Sequence, residues 1–592
     1  MKKKRIWLRV LAALFILGVI AVLYEAWRTQ NPYTLALKRH VKYDLLGMTT
    51  ENEKEETAGL TGDYTVTLYQ DGQPVAGESD PGADRKKVYE DGRVTRLVDY
   101  LTGYQIDLPA GMEFDFSRSP LYVNGENEDY MVTISRETAT YASAKEIITF
   151  ELDNLFPFLP LERGVERHVD HYEWGFLLDE GWQRANGVSV TREELNGVPL
   201  IHAVLEDPGE ARWDGYTYAT VYDNSREYLR VVFRYDSGDP AVRDALSAMT
   251  ASLRMFDPMG EGECRTDFEA VRPDFWSEET ARLYDKIVNS EEVRWGVFTT
   301  DIYDTGIHET IPALEEQLDY TFPVILSYIH YSDNQFPTDF MQANWDNGRI
   351  VELTYQVTMN NNEDMYAYTP FLDIYRGELD GELRAFARQA AEFGHPFLFR
   401  LNNEMNSDWT SYSGVVNLCD PEVYTAVWRR IYDIFREEGV DNCIWIYNPH
   451  DRSAPPANWN DALAYWPGNG YAQMLGVTGY NNGTYYTQLN EQWREFKDIY
   501  DEVEALYAPH FGDFPWIITE FASSSIGGDK AAWMEAMFQH MADYENIKIA
   551  VWFSAADYDG DIPARPYWLD ETPETLETFR EGVAEHGIEG WD

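Results

Sequence analysis

From residue 294 onward, short apolar runs alternate with amphipathic stretches of helical spacing. The apolar runs are rich in β-branched and aromatic residues, as buried strands are, and segments 381–393 and 421–438 have the three-and-four spacing of amphipathic helices. Eight strand-then-helix units in about 300 residues predict an α/β fold, a (β/α)8 TIM barrel. The predicted strands are 294–298, 323–331, 349–357, 397–401, 443–447, 474–480, 515–519 and 548–553.

The preceding region, residues 60–256, has a different pattern. Strand-type runs follow one another with few helices between them, which favours an α+β accessory domain. A linker at 257–280 then leads to the barrel domain at 281–592. In the accessory domain the predicted strands are 64–69, 104–108, 130–134, 200–205, 216–222 and 228–235, and the predicted helices are 143–156 and 240–255.

The N-terminus predicts a membrane anchor. Four basic residues follow Met1, and an apolar run covers residues 10–24, or 6–27 if Arg9 snorkels to the interface. Because no small-residue cleavage site follows, we predict an uncleaved transmembrane signal anchor at 1–28 and a polar tether at 29–59. The basic cluster places the N-terminus in the cytoplasm and everything after residue 24 outside the cell. The alternative is a cleaved signal peptide and a secreted protein.

Charge and composition restrict the classes of molecule that this chain is expected to bind. Asp and Glu number 102 against 48 Lys and Arg, a net charge of -54, which argues against nucleic acid as a partner. An acidic protein with 15% aromatic residues suits an uncharged, stacking ligand such as a neutral polysaccharide or oligosaccharide. The acidity also keeps an exported protein soluble. The three cysteines lack metal-ligand or disulfide spacing. We expect no metal or cofactor, and we expect the protein to be a monomer.

Two carboxylates stand where predicted barrel strands end. Glu404 closely follows the fourth strand, and Glu520 directly follows the seventh. Catalytic groups of TIM barrels lie at this C-terminal face, and glycoside hydrolysis requires a carboxylate pair. Arg400 lies two strand alternations before Glu404, so it is predicted to face the same interior and to keep carboxylates ionised. His308, His330 and His450 lie near strand ends without metal spacing, which favours substrate contact or a structural role.

Several spaced motifs resemble glycoside hydrolase family 26, the β-mannanase-like family of clan A. The resemblance covers about residues 290–575 and does not extend to residues 1–260. The motifs are Ile-Tyr-Arg-Gly-Glu-Leu-Asp at 374–380, Gly-His-Pro-Phe-Leu-Phe-Arg-Leu-Asn-Asn-Glu-Met-Asn at 394–406 with Trp409, Asn-Cys-Ile-Trp-Ile-Tyr-Asn-Pro at 442–449, Gly-Val-Thr-Gly-Tyr-Asn at 476–481 and Thr-Glu-Phe at 519–521.

The resemblance implies roles for individual residues. Glu404 matches the family's acid/base and Glu520 its nucleophile, so hydrolysis with retention is expected. Tyr480 matches a tyrosine that hydrogen-bonds the nucleophile, and Trp552 matches an aromatic under the sugar in the catalytic subsite. Trp409 falls in a loop on the same predicted face, where stacking on the sugar or packing would explain it.

One residue departs from the family pattern at its centre. The family usually has His directly before the acid/base, and this chain has Asn403. Clan A enzymes outside the family commonly carry Asn-Glu here, with the Asn binding the sugar 2-hydroxyl. That hydroxyl is axial in mannose and equatorial in glucose and xylose, so the departure leaves the sugar open.

Two functions follow from these observations. The first is a membrane-anchored, retaining endo-β-glycosidase, endo-β-1,4-mannanase-like, that hydrolyses β-mannan or a related extracellular polysaccharide. The second is a non-catalytic cell-surface protein that binds carbohydrate on a degenerate barrel. Retention of both Glu404 and Glu520 favours the enzyme.

Overall fold

A computed structural model of the 592-residue chain describes residues 56–77, 80–138, 169–170, 173–222, 227–359, 365–489 and 491–591. The predicted anchor at 1–28, most of the tether and the predicted helix at 143–156 lie outside the described residues. Within the described ranges, no helix has both the length and the apolar character needed to cross a bilayer.

Two antiparallel sheets form the N-terminal region, and each of the six predicted strands overlaps an observed one. The strands are β1 (Thr65–Gln70), β2 (Gln73–Val75), β3 (Arg85–Glu90), β4 (Val94–Asp99), β5 (Tyr104–Pro109), β6 (Glu113–Asp115), β7 (Val123–Glu126), β8 (Tyr130–Thr138), β9 (Val188–Leu195), β10 (Val198–Leu205), β11 (Gly215–Tyr222), β12 (Glu227–Tyr235) and β13 (Arg254–Met255), with helices α1 (Glu180–Asn186) and α2 (Val242–Ser252). The first sheet has six strands in the order β13-β5-β4-β3-β1-β2, and the second has seven in the order β6-β7-β8-β12-β11-β10-β9.

The seven-stranded sheet is buried on both faces. Along β12, Val231 and Phe233 point into a core shared with the six-stranded sheet and α2. The alternate residues Tyr228 and Val232 belong to the core that continues into the barrel. The sheet is therefore a middle layer between the six-stranded sheet and the barrel.

The predicted barrel is confirmed. Eight parallel strands close in sequence order, and each overlaps a predicted strand. They are β14 (Arg294–Thr299), β15 (Val324–His330), β16 (Ile350–Gln356), β17 (Phe397–Leu401), β18 (Cys443–Tyr447), β19 (Met474–Thr478), β20 (Trp516–Phe521) and β21 (Ile547–Ser554). The helices around it are α3 (Glu278–Val288), α4 (Ile311–Leu318), α5 (Thr338–Asp346), α6 (Pro370–Arg376), α7 (Asp380–Phe393), α8 (Pro421–Glu437), α9 (Phe496–Phe511), α10 (Lys530–His540) and α11 (Pro573–His586), and a hairpin of β22 (Ala556–Asp559) and β23 (Ile562–Pro566) follows β21.

Alternate residues of the barrel strands fill a separate interior core. Leu326, Leu398, Ile446 and Val551 contribute to it, while their strand neighbours pack against the helices. This is the two-sided burial expected of parallel strands, whose sequences read as nearly continuous apolar runs. The packed interior leaves the mouth at the C-terminal ends of the strands for polar groups.

Gly476 on β19 offers a test of this packing. A Cβ atom there would lie 2.7 Å from Ile446 Cγ2 and 2.8 Å from both Asn448 Cβ and Thr519 Cγ2. Overpacking of this kind costs about 1–3 kcal/mol, so Gly476→Val should lower the melting temperature in a thermal unfolding scan. Gly381→Ala in α7 is the control, because its Cβ meets nothing within 4 Å. A Gly476→Val protein that melts at the wild-type temperature would contradict the packed interior.

Candidate active site

Polar side chains gather where the barrel strands end. Glu404 lies in the loop that follows β17, and Glu520 lies near the end of β20. Each of the two residues keeps only 6% of its surface exposed. Their carboxyl groups are close enough to interact electrostatically. The two strand ends singled out in the sequence therefore meet at one mouth of the barrel.

A β-bulge turns Glu520 toward the barrel interior. Ile517 and Thr519 of β20 point inward, and strict alternation would send Glu520 outward with Ile518. The register of β20 shifts against both neighbouring strands near this point. Bulges re-aim side chains in this way and are common next to active sites. Thr519 and Glu520 therefore both face inward, and Phe521 packs in the outer core.

Four donors surround the Glu520 carboxylate. Arg400 Nη1 and Asn403 Nδ2 donate to Oε1 over 3.0 and 3.3 Å. The Tyr480 hydroxyl donates to Oε2 over 3.3 Å, and the Tyr328 hydroxyl donates to the same oxygen. An ionised carboxylate only accepts hydrogen bonds and has room for about four. The surroundings thus fit Glu520 as an anion.

Arg400 is fully buried on β17 and is held from several sides. Its Nε donates to Thr354 Oγ1 over 2.7 Å, and its Nη1 donates to Asn448 Oδ1 over 3.0 Å. The Glu352 carboxyl lies 3.2 Å from Nε. Burial alone would lower the pKa of Arg400, but the neighbouring carboxylates raise that pKa above its ordinary value. Arg400 is therefore a fixed cation beside Glu520, on the interior face that the strand alternation predicts.

Glu404 has a different environment. Its backbone is in the left-handed region with φ 59°, and its N–H donates to the Asn448 carbonyl over 2.8 Å. Burial raises the pKa of Glu404 to about 7, and the charge of Glu520 adds to the rise while His450 opposes it. His450 Nε2 lies 3.8 Å from Glu404 Oε1. This carboxyl group therefore holds its proton to a much higher pH than an exposed glutamate.

The Asn403 side-chain amide is oriented by its neighbours. Gln356 Nε2 and the Tyr412 hydroxyl donate to Asn403 Oδ1 over 2.8 and 2.9 Å. With the oxygen occupied by two donors, the NH2 group is directed at Glu520. The amide thus presents a donor to the space beside that carboxylate.

Trp552 was expected to lie under the sugar in the catalytic subsite, but it does not face this site. It lies on the outer face of β21, where its ring packs 5.4 Å from that of Phe521, centroid to centroid. The inward-facing residue is its neighbour Phe553, whose ring centroid lies 6.0 Å from that of Tyr480. Side chains alternate along a strand, so a difference of one residue moves a side chain to the opposite face. The aromatic residue at the site is therefore Phe553 and not Trp552, to which the family motif was matched.

Three further residues bear on the site: Trp409, which the sequence analysis named, Tyr328, which it did not name, and His450. Trp409 lies in the loop after β17 with 45% of its surface exposed, outside the group of donors around Glu520. The sequence analysis did not single out Tyr328 as a site residue. Its position on β15, two and four residues after Leu326 and Val324, places it on the same inward face as those residues. His450 is the histidine that reaches Glu404.

Metal-ligating residues do not cluster in the described part of the chain. Across those ranges, no group of three or more His, Cys, Asp or Glu residues is arranged to hold an ion. The cysteines Cys264, Cys419 and Cys443 are free thiols.

Comparisons with known proteins point to one family. Residues 339–556 match the family model of Glycosyl hydrolase family 26. Endoglucanase H of Acetivibrio thermocellus is 29% identical over 280 residues, which are 46% of this chain and 29% of that protein. This chain therefore spans less than a third of the length of that curated relative.

The solved structures that this chain resembles include two β-mannanases. A family 26 β-mannanase from Bacteroides ovatus is 16% identical with a TM-score of 0.40, over 53% of this chain and 96% of that one. The catalytic domain of a family 26 endo-β-1,4-mannanase from Bacillus sp. JAMB-750 is 15% identical with a TM-score of 0.43, over 55% of this chain and 96% of that one.

The raised pKa of Glu404 predicts a pH-dependent stability difference. The unfolded carboxyl ionises near 4.5 and the folded one near 7, so the wild-type protein loses this contribution to folding as the pH rises between those values. Glu404→Gln does not titrate. Its free energy of unfolding relative to wild type should therefore rise by roughly 2–3 kcal/mol from pH 5 to pH 8, as measured by chemical denaturation. The exposed Glu545→Gln is the control, and a constant difference for Glu404→Gln would contradict the prediction.

Proposed function

Because residues 339–556 belong to a family 26 glycoside hydrolase domain, as the sequence motifs predicted, we propose that this chain is a retaining endo-β-glycosidase. Glu404 is the acid/base and Glu520 the nucleophile. The observation that carries the proposal is the contrast between the two carboxyl groups. Burial raises the pKa of Glu404 to about 7, whereas Glu520 accepts hydrogen bonds from four donors, including the buried Arg400. Retaining hydrolysis uses one protonated and one ionised carboxyl group.

The reaction follows in two steps. In the first, Glu520 attacks the anomeric carbon while the glycosidic bond breaks, and the Glu404 proton passes to the departing oxygen. In the second, Glu404 takes a proton from water, and the water oxygen displaces Glu520 from the anomeric carbon. Each step reverses the charge state of Glu404, which suits a group whose pKa lies near neutrality.

The donors around Glu520 hold the nucleophile in place. Tyr328 and Tyr480 donate to one carboxylate oxygen, and Arg400 and Asn403 donate to the other. Such fixed donors align the attacking oxygen before substrate binds, and they stabilise the carboxylate that leaves in the second step. Phe553, beside Tyr480, offers an apolar surface at the same mouth.

We assign discrimination at the 2-hydroxyl to Asn403. A sugar with its anomeric carbon at Glu520 brings its 2-hydroxyl near the Asn403 NH2 group, which points to that carboxylate. Hydrogen bonds to the 2-hydroxyl strengthen in the transition states of retaining enzymes. The relative named Endoglucanase H and the Asn in place of the family His both favour a β-glucan with an equatorial 2-hydroxyl. The alternative is β-mannan.

The site of action is proposed from the sequence. The basic cluster and apolar run within residues 1–28 favour a single membrane anchor with the hydrolase outside the cell, where polysaccharides are found. A cleaved signal peptide and secretion are the alternative. The division into accessory domain (60–256), linker (257–280) and barrel (281–592) belongs to the same proposal.

A substrate panel tests the activity. Residues 29–592 should hydrolyse mixed-linkage β-glucan faster than β-mannan, β-xylan or bacterial exopolysaccharide, as measured by release of reducing ends. Glu520→Ala should reduce hydrolysis at least 10³-fold because the covalent intermediate cannot form, whereas the exposed Glu545→Ala should match wild type. Binding of a polymer without hydrolysis, equal in wild type and Glu520→Ala, would favour the carbohydrate-binding alternative.

The role of Asn403 is tested with a matched pair of substrates. Loss of a hydrogen bond worth about 1–3 kcal/mol predicts that Asn403→Ala lowers kcat/KM for an aryl β-glucoside by roughly 10–100-fold. For the 2-deoxy analogue the same substitution should cause a clearly smaller loss, since the hydroxyl is already absent and only the hydrogen bond from Asn403 to Glu520 is removed. Equal losses on both substrates would show that Asn403 does not act through the 2-hydroxyl.

A further inference from the structure

The loop that carries Glu404 needs outside support. Residues 402–420, between β17 and α8, contain no regular helix or strand. Four non-glycine residues in it have positive φ: 50° at Asn402, 59° at Glu404, 59° at Leu418 and 48° at Cys419. Such conformations cost free energy and persist only where the surroundings fix them.

The seven-stranded sheet provides this support at the end of the loop. From β12, Arg234 makes a bidentate ion pair with Asp420, with both distances 2.6 Å and both side chains buried. Arg230 donates to the Cys419 carbonyl, and the Tyr218 hydroxyl donates to the Leu418 carbonyl. Three consecutive residues of the loop are thus held by the neighbouring sheet.

A second connection reaches the start of the loop. Glu137 of β8 accepts hydrogen bonds from the Asn458 and Trp459 N–H groups over 2.7 and 3.1 Å. Next to them, Asn460 Nδ2 donates to the Asn406 carbonyl over 2.8 Å. Asn406 lies two residues after Glu404, so the sheet supports the loop on both sides of its turns.

The sheet is built for this contact. Tyr228, Arg230, Val232 and Arg234 alternate along one face of β12, and this face lies against the barrel. Arg230 is itself held by the buried carboxylate of Glu173, 3.0 Å from its Nε. Burial of charged groups at an apolar interface is costly unless they are paired, and removal of one partner leaves the other uncompensated. These pairs therefore select one arrangement of the sheet and the loop.

We propose that the seven-stranded sheet is an integral part of the active site, in which Arg230 and Arg234 are positioning residues that fix loop 402–420 and thereby Glu404. The proposal rests on the acid/base role of Glu404 proposed above. It gives the N-terminal region a catalytic purpose other than that of a spacer or a separate binding module.

The test uses the full chain with Arg234→Met. Amide hydrogen exchange of residues 413–420 should become at least 10-fold faster, because the hydrogen bonds of these amides persist only while the loop keeps its conformation. On the best polymer, kcat should fall at least 10-fold with KM within threefold of wild type, and the basic limb of the pH profile should move to lower pH as water reaches Glu404. Arg234→Lys should recover only part of the loss, because an ammonium cannot pair bidentately.

Two further variants keep the test decisive. Arg243→Met removes an exposed ion pair with Glu193 in the same region and should match wild type. Arg234→Met with Asp420→Asn removes both charges of the buried pair and serves if the single variant fails to fold. The double variant should still show faster exchange and lower kcat. Wild-type exchange, kcat and pH profile in the folded double variant would overturn the proposal. If the wild-type protein hydrolyses no polymer, the proposed function fails, and the exchange rates still decide whether the sheet fixes the loop.

Discussion

The site depends on one buried ion pair, that of Arg400 with Glu520. A carboxylate buried to this degree is strongly disfavoured unless a cation and hydrogen-bond donors compensate it. Arg400 provides the cation 3.0 Å away, and Thr354 on β16 and Asn448 directly after β18 fix the guanidinium group. The barrel closure that brings these strand ends together is therefore also what allows Glu520 to be buried as an anion.

Glu404 illustrates the opposite solution to the same constraint. His450 Nε2 lies 3.8 Å from its carboxyl group, and burial keeps the pKa of Glu404 high. The strained backbone that presents it belongs to a long loop, and the barrel supplies only part of the contacts that hold that loop. The seven-stranded sheet adds further contacts through Arg230, Arg234 and Tyr218. The environments of the two carboxyl groups thus differ because one group sits on a strand and the other on a supported loop.

Much of this arrangement could be predicted from the sequence, and the features that could not be predicted have identifiable physical causes. Strand periodicity placed all eight barrel strands. The strand ends located Glu404 and Glu520, and the alternation of side chains along the strand predicted that Arg400 faces inward. The bulge that turns Glu520 inward has no counterpart in a periodic pattern, and a one-residue register difference separates Trp552 from Phe553. Contacts between Arg234 and Asp420, which are 186 residues apart, depend on how two sheets and a barrel pack together, and local sequence carries no signal for that.

Glu352 shows how the charge balance at the centre is kept. It is fully buried 3.2 Å from Arg400 Nε, so two carboxyl groups share one cation. Burial raises the pKa of Glu352 to about 8, since the attraction of Arg400 does not offset the loss of water and the nearby charge of Glu520 adds to the rise. Near neutral pH Glu352 is therefore mostly protonated and uncharged, and the charge of Arg400 remains available to Glu520. Were Glu352 ionised as well, the interior would hold two anions and one cation, and the nucleophile would lose part of the stabilisation that lets it stay buried and ionised.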